Sequence, residues 1–205
     1  METRIGFGYD SHVFKPDVPL IIGGLRFDLP EGLAGHSDGD VLLHALTDAL
    51  LGAIAAGDIG RYFPPSDPQW KNADSAIFLK RATDELEKAG YRIVNTDVTL
   101  ILAKPKIGPV ATEMRSRVAE LLGVELEQVS IKAKTPEGLN LDHVAQCHAV
   151  ALVERTLHPD ELTSISAEIE NPGQLEDVVE GLLNSVHSVT PSKQNPPFYD
   201  TEDIT

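Results

Sequence analysis

Several short segments of the chain alternate apolar with polar or small residues, which is the pattern of half-buried β-strands. The first such segment is Arg4–Tyr9, and Leu20–Phe27 predicts a second strand in which the Gly23-Gly24 pair marks a bulge or bend. Further strands are predicted at Asp97–Leu102, Val129–Lys134 and Ala145–Glu154.

Longer segments repeat their apolar positions at helical spacing. The strongest is Asp38–Ala56, with Ser37 as the predicted N-cap and a glycine directly after its end. Two more helices are predicted at Ser75–Lys88 and Pro109–Leu122, and a glycine follows each of them. Strands separated by helices predict an α+β fold, in which a sheet packs against helices in a sandwich of the ferredoxin-like type.

The composition changes after residue 157. Residues 158–205 contain ten acidic residues and one lysine, a net charge of −9, which leaves −6 of the total −15 for residues 1–157. We predict one catalytic domain over residues 1–157 and an acidic extension over 158–205 with one amphipathic helix at 173–186. Packing on the assembly, recruitment of a partner and a solvated tail are all open for the extension.

Charge, apolar content and cysteine usage exclude several classes of protein. A mildly acidic domain argues against nucleic-acid binding, because nucleic-acid binders normally present a basic face. The longest apolar stretch, Ala49–Ala56, is interrupted by Gly52 and is too short to span a membrane. The segment METRIGFG lacks the apolar core of a secretory signal, so a cytoplasmic location is expected. Cys147 is the only cysteine, so a metal would need His, Asp or Glu ligands.

Two clusters of ionisable residues carry the candidate chemistry. Asp10 and His12 are two residues apart in a predicted strand, so both side chains point to one face and can converge on one ion. Asp40, His44 and Asp48 are spaced by four along the long helix and share a face among leucines and alanines. Buried charges need partners or a metal. The alternative, a solvated helix face, would contain Lys or Glu, which this stretch lacks.

Together, Asp10, His12 and His44 offer two imidazoles and one carboxylate. This is the ligand set of a catalytic zinc with one open position. Asp40 could orient one of the ligands without binding the ion itself. Taken alone, the Asp10–His12 pair is weak, because such spacing occurs often by chance.

The same segments resemble a known family. RIGFGYDSH at 4–12, GLAGHSDGDVLLHALTDALLGAIAAGDIG at 32–60 and FPPSD at 63–67 are similar to the 2-C-methyl-D-erythritol 2,4-cyclodiphosphate synthases, and the resemblance extends over residues 4–155. It implies a homotrimer with active sites between subunits. It also implies a phosphorus–oxygen lyase of the non-mevalonate isoprenoid pathway. Such an enzyme converts 4-diphosphocytidyl-2-C-methyl-D-erythritol 2-phosphate to 2-C-methyl-D-erythritol 2,4-cyclodiphosphate and CMP.

The resemblance also implies site residues. The implied Zn²⁺ ligands are Asp10, His12 and His44, and the implied contact of a second ion, Mg²⁺ or Mn²⁺, is Glu137. The residues implied in catalysis are His36, Thr135 and Asp40. Those implied in substrate binding, besides Asp10, His12 and Glu137, are Ser37, Asp58, Ile59, Gly60, Phe63, Asp67, Ala103, Lys104, Pro105, Lys106 and Lys134. For Lys106 and Lys134, an ordinary solvated lysine is the alternative.

The last loop departs from the family pattern. Relatives have Thr-Thr-Thr-Glu and then Gly-Phe-Thr-Gly-Arg-Gly-Glu-Gly, whereas this chain has Lys134-Thr135-Pro136-Glu137 and then Asn140–Gln146, without arginine or glutamate. In relatives this region lines the channel of the trimer and is linked to the binding of isoprenoid diphosphates. The resemblance does not carry that property to this chain.

Two other functions remain open from the sequence. One is a metal phosphohydrolase that uses a zinc-bound hydroxide on a nucleoside diphosphate, which would release inorganic phosphate or a linear product. The other is a non-catalytic zinc-binding trimer whose extension recruits partners, and the intact predicted ligands argue against it. Neighbouring enzymes of the same pathway are a further class of partner.

Overall fold

A five-stranded mixed sheet organises residues 2–156, the part of the chain that this computed structural model describes. In chain order the strands of the fold are β1 (Thr3–Pro16), β2 (Leu20–Ile22), β3 (Leu25–Phe27), β4 (Glu31–Leu33), β5 (Tyr91–Ile101), β6 (Val129–Lys134) and β7 (Val144–Arg155). The sheet has the order β4-β1-β7-β5-β6, and only the β5–β6 pair is parallel. Strands β2 and β3 form a separate hairpin.

The helices cover this sheet. They are α1 (Val41–Ala53), α2 (Ile59–Tyr62), α3 (Ser75–Lys88) and α4 (Ala111–Leu122), with short 3-10 turns at Pro68–Trp70, Gly108–Val110 and Leu126–Gln128. Buried residues of the longer helices and of β1's neighbours in the sheet form a single hydrophobic core. The predicted α+β fold with a sheet packed against helices is therefore confirmed.

Helix α1 lies unusually close to β1. A side-chain Cβ at Gly6 would lie 1.8 Å from the Ala49 carbonyl oxygen, and one at Gly8 would lie 1.9 Å from that of Ala45. Only glycine permits this approach, because any other residue would overlap the helix backbone. The helix-facing side of β1 continues from these glycines to Asp10 and His12, so the close packing brings α1 to both residues.

Two details of the predicted elements are wrong. Leu20–Phe27 is a hairpin, not one bulged strand, because Gly23 and Gly24 have positive φ angles of 62° and 72° and form the two-residue turn between β2 and β3. The N-cap of α1 is Asp40, not Ser37: its carboxylate accepts the backbone N–H groups of Leu42 and Leu43. The helix consequently begins three residues later than predicted.

Other predicted elements agree with the structure. Strand β6 and helix α3 have the predicted bounds, and α4 ends at Leu122, followed by Gly123, whose φ of 69° is the left-handed conformation of a helix C-cap. Some predicted bounds are wrong: strand β5 begins at Tyr91, six residues before its predicted start, and helix α1 ends at Ala53, three residues before its predicted end. The extension over 158–205 and its predicted helix at 173–186 lie outside the described residues. Among the described helices, none has the length and hydropathy needed to span a bilayer.

Candidate metal centre

Three potential metal ligands converge where β1 meets α1. The Asp10 Oδ2 atom lies 2.9 Å from His12 Nε2 and 2.9 Å from His44 Nδ1, and the two imidazole nitrogens are 3.2 Å apart. The strand supplies the first two residues from one face, and the first turns of the helix supply the third. The predicted grouping of these three residues is therefore present within a single chain.

The spacing and chemistry of these atoms fit a metal ion. A tetrahedral zinc with bonds of about 2.0–2.1 Å holds its ligand atoms about 3.3 Å apart, close to the separations in this triangle. Two imidazole nitrogens and a carboxylate oxygen this close together need a cation or a proton between them. Asp10, His12 and His44 could thus hold one divalent ion and leave a coordination position for a substrate.

The interaction between Asp10 and His44 stabilises the charged form of each side chain. Burial by itself raises the pKa of Asp10, but hydrogen bonds and charge from His12 and His44 outweigh it, so the pKa lies well below the usual value. Burial lowers the pKa of His44, yet the hydrogen bond and charge of Asp10 reverse this, and the net pKa is raised. The site therefore favours a carboxylate anion beside a positive charge.

Asp40 caps helix α1 and also holds the β2–β3 turn. Its Oδ1 atom accepts the backbone N–H groups of Gly23, Leu42 and Leu43 at 2.9, 3.1 and 3.1 Å, and Oδ2 accepts that of Gly24 at 2.7 Å. Burial raises the pKa of Asp40, and these backbone donors oppose the shift. Its observed hydrogen bonds join the β2–β3 turn to the start of α1 and involve no metal-ligand side chain.

The second nitrogen of His44 has polar partners of its own. His44 Nε2 lies 2.8 Å from Ser75 Oγ and 3.0 Å from Ser37 Oγ, and all three residues are buried. The Ser75 hydroxyl in turn donates to Asp38 Oδ1. These contacts connect the ligand on α1 to the first residue of α3.

The comparison with known proteins matches this part of the chain. The sequence pattern of the YgbB family covers residues 3–154. The chain belongs to the YgbB family. A relative from Koribacter versatilis (strain Ellin345), named 2-C-methyl-D-erythritol 2,4-cyclodiphosphate synthase, is 59% identical over 152 residues, which are 74% of this chain and 98% of the relative.

Solved structures of similar proteins agree. The structure of a 2C-methyl-D-erythritol-2,4-cyclodiphosphate synthase in a CDP-bound form is 38% identical, with a TM-score of 0.70, and the match covers 74% of this chain and 100% of that one. The bifunctional IspDF from Campylobacter jejuni is 34% identical with a TM-score of 0.72, and 75% of this YgbB protein matches 42% of that chain.

Some residues predicted to bind substrate lie next to the metal centre of this YgbB protein. Phe63 packs on Phe78 with ring centroids 4.3 Å apart, and Phe78 lies 5.9 Å from the His44 ring. Asp67 caps the following 3-10 turn, and its carbonyl oxygen lies 3.4 Å from His36 Nε2. The Phe63–Asp67 loop and the exposed His36 therefore border the same side of the site.

The predicted contacts Asp58, Ile59 and Gly60 also approach α1. The Asp58 carboxylate caps the short helix α2 by accepting the Arg61 N–H at 3.0 Å. The Ile59 N–H donates to Asp48 Oδ1 at 2.8 Å. Asp48 follows His44 by one helical turn, so this hydrogen bond ties the 58–60 segment to the helix that carries the metal ligand.

The remaining predicted residues form a second group across the sheet. Ala103, Lys104, Pro105 and Lys106 follow β5, Lys134 is the last residue of β6, and Thr135 and Glu137 come after it. The Thr135 hydroxyl donates to Glu137, and Lys104 pairs with Glu31. Lys134 aligns with Ser11 through Ile101 and Gln146, three strand spacings away, which amounts to about 14 Å. Within a single chain, Lys134 is therefore not brought to the metal ligands.

The sequence did not single out Ser75 or give Asp38 a role. Ser75 is fully buried although it begins a helix, and its side chain contacts a histidine 31 residues earlier in the chain. From sequence alone, either Asp74 or Ser75 could be the N-cap of this helix. The contact depends on how α3 packs against α1, which helical spacing does not reveal.

Proposed function

We propose that this chain converts 4-diphosphocytidyl-2-C-methyl-D-erythritol 2-phosphate to 2-C-methyl-D-erythritol 2,4-cyclodiphosphate and CMP. The observation that carries the proposal is the Asp10–His12–His44 triangle in a chain 59% identical to an enzyme named for this product. In the reaction an oxygen of the substrate's 2-phosphate forms a bond to the β-phosphorus, and the bond from that phosphorus to the CMP oxygen breaks. Positioning and charge neutralisation are the main demands on the protein.

Two metal ions are part of the proposal. Asp10, His12 and His44 would hold Zn²⁺, and Glu137 would contact Mg²⁺ or Mn²⁺; together the ions would neutralise the diphosphate. His36 and Thr135 would donate hydrogen bonds to phosphate oxygens. Ser37 has a hydroxyl beside His44 and could donate to the same phosphate.

The substrate's two ends would lie against two groups of residues. Asp58–Gly60 and the Phe63–Asp67 loop border the metal ligands and would contact the methylerythritol phosphate. Ala103–Lys106 and Lys134 would hold the cytidine and its diphosphate, in keeping with the CDP-bound form of a relative. Lys106 and Lys134 are exposed and would supply positive charge to an otherwise acidic protein.

We propose that this site is completed by a second copy of the chain. Lys134 of the nucleotide group lies about 14 Å from β1 of the same chain across the sheet, too far for the cyclising phosphates to touch both. A neighbouring subunit could bring its own Lys134–Glu137 segment to the metal ligands. A homotrimer with active sites between its subunits would provide this arrangement.

An exposed apolar face supports the homotrimer. On the side of β1 that faces away from the helices, Ile5 is 70% exposed and Phe7 is 60% exposed, and Tyr9, Val13 and Val150 add to the same face. Contiguous apolar surface of this kind marks an interaction site in a protein that stays in solution. Burial between copies would remove it from water.

Other features belong to the same proposal. Residues 1–157 would be the catalytic domain, and 158–205 an acidic extension. A cytoplasmic location fits a metabolic enzyme. The bifunctional relative from Campylobacter jejuni supports neighbouring pathway enzymes as partners. Nucleic acid is an unsuitable partner because the charge of the chain is strongly negative.

The test is ³¹P NMR of the full chain with the proposed substrate, Zn²⁺ and Mg²⁺. A cyclic diphosphate and CMP are expected, and both should disappear in the His44→Ala variant. His143→Ala, which removes an exposed imidazole outside the metal triangle, is the matched control and should retain turnover. Inorganic phosphate or a linear product would indicate a hydrolase, and bound zinc without turnover would indicate a non-catalytic module.

A further inference from the structure

The structure assigns Ser75 and Asp38 a joint role: they fix which nitrogen of His44 carries the proton, and so prepare the other nitrogen to bind a metal. The inference deepens the proposed function and rests on its metal site. It concerns two positioning residues that act through the imidazole and do not touch the ion.

The hydrogen bonds that Asp38 accepts determine which group is the donor in its contact with Ser75. Its Oδ2 atom accepts the Ser75 backbone N–H at 3.0 Å, and its Oδ1 atom accepts the Asp40 backbone N–H at 3.1 Å. An ionised carboxylate can only accept. The third contact, with the Ser75 hydroxyl, must therefore use the single hydrogen of that hydroxyl.

The donor role of the Ser75 hydroxyl also determines which atom donates in its contact with His44. Once the Ser75 hydroxyl donates to Asp38, its oxygen can only accept from His44 Nε2, 2.8 Å away. The Nε2 atom then carries a proton, and in the neutral ring Nδ1 has the free lone pair. Nδ1 is the nitrogen that faces Asp10 and His12. The hydrogen-bond chain thus selects the tautomer that a metal at this triangle requires.

The Ser75 hydroxyl is not needed for the helix that it begins. Asp74 is the N-cap of α3, and its side chain accepts the Ala76 N–H at 2.8 Å. Ser75 is nevertheless fully buried, and its hydroxyl is directed to Asp38 and His44. A capping role does not account for this hydroxyl, whereas orientation of the imidazole does.

Ser37 fits the same scheme. Its hydroxyl lies 3.0 Å from His44 Nε2, where it can share the imidazole proton as a second acceptor. The hydrogen of the Ser37 hydroxyl is then free for another acceptor. Ser75 is the closer partner and is the one anchored by a carboxylate, so we assign the fixing of the tautomer to Ser75 and Asp38.

The first test measures zinc affinity by competition with a chromogenic chelator. Ser75→Ala removes the acceptor, and loss of such a partner is expected to weaken zinc binding by about 10–100-fold. Asp38→Asn should weaken it by a similar factor, because the amide can donate to Ser75 and turn the hydroxyl toward His44. Ser75→Thr keeps a hydroxyl and should recover part of the loss.

The matched control is Asp74→Ala. It removes the cap of α3 and should lower stability by about 1 kcal/mol without changing the partners of His44. Zinc affinity of this variant should equal that of the unmodified chain. Equal losses in Asp74→Ala and Ser75→Ala would overturn the inference, since a loosened helix start would explain both. Unchanged affinity in Ser75→Ala and Asp38→Asn would overturn it as well.

The second test makes its measurement on the unmodified chain and needs a variant only to assign the signals. Long-range ¹H–¹⁵N correlation spectra of the zinc-loaded full chain, labelled at histidine, report which ring nitrogen carries the proton. His44 signals are assigned by their absence in His44→Gln. A protonated Nε2 is expected, and a protonated Nδ1 would overturn the inference. Neither test measures turnover, so failure of the catalytic proposal and failure of this inference remain distinguishable.

Discussion

The two halves of the proposed active site differ in how they are built. The metal half lies between β1 and α1, where His44 is buried and hydrogen bonds reach Ser37 and Ser75. The nucleotide half follows β5 and β6, where Lys134, Thr135 and Glu137 are exposed.

This difference shows which half is organised by a single chain. The positions of the metal ligands follow from packing inside the fold, so they are present before any partner binds. The nucleotide half has few internal contacts and is held mainly by the ends of two strands. In the proposed assembly it depends on a neighbouring copy, so the two halves should respond differently to mutation, mixing of subunits and pH.

The largest expected difference is between His44→Ala and Thr135→Val. His44→Ala should lower kcat by about 1000-fold or more and abolish stoichiometric zinc, because it removes a ligand. Thr135→Val should lower kcat by about 100-fold through loss of one hydrogen-bond donor, with zinc retained. CMP release and metal analysis of the purified variants measure both effects. Loss of zinc from Thr135→Val would show that the halves are not independent.

Mixing these two inactive variants tests whether the halves come from different chains. In randomly mixed oligomers, about a quarter of intersubunit sites would combine an intact metal half with an intact nucleotide half. Co-expression should therefore restore about a quarter of the activity of the unmodified protein. Sites contained within one chain would show no recovery, and each variant expressed alone provides the baseline.

A smaller effect is expected at the link between α1, the helix of the metal half, and the 58–60 segment. Asp48→Ala removes the acceptor of the Ile59 N–H, and a bond to a charged group contributes about 1.5–3 kcal/mol. The KM for substrate should rise by about 10-fold or more, while zinc affinity stays constant. Asp48→Asn keeps the accepting oxygen and is the matched control; a similar KM in both variants would contradict this role.

The smallest effect concerns pH and the zinc-free protein. The lowered pKa of Asp10 stabilises the fold above the usual aspartate value of 3.8, and the raised pKa of His44 stabilises it below the usual histidine value of 6.5. The Tm should therefore be highest between these values and fall as pH rises through the elevated pKa of His44. Zinc must displace protons, so its stabilising effect should instead grow with pH. Thermal melts with and without zinc would separate the trends.

The sequence predicted the metal half better than its supporting contacts. Asp10 and His12 were identifiable because a strand puts alternate residues on one face, and His44 because a polar residue interrupts an apolar helix. Asp40 belongs to the same polar stripe and also caps the helix, a role that its spacing did not predict. A carboxylate near a helix start suits both roles, and spacing does not distinguish them.

Other features required long-range information. The Gly23-Gly24 pair predicted a departure from regular strand, but bulge and hairpin turn share the same glycines. Ser75 reaches His44 only because α3 packs beside α1. The separation of Lys134 from the metal ligands depends on the order of strands in the sheet, which local patterns do not define. The family pattern supplied the residues of the nucleotide half, but not their distance from the metal.

Gly6 and Gly8 have a consequence for how the protein can vary. The backbones of α1 and β1 are in direct contact at these glycines. The distance between Asp10 and His44 is therefore determined by main-chain atoms and not by the size of exchangeable side chains. Leucines elsewhere on α1 can be exchanged for residues of similar volume without moving the ligands apart. Substitutions in the hydrophobic core can therefore accumulate during evolution while the metal-binding geometry stays the same.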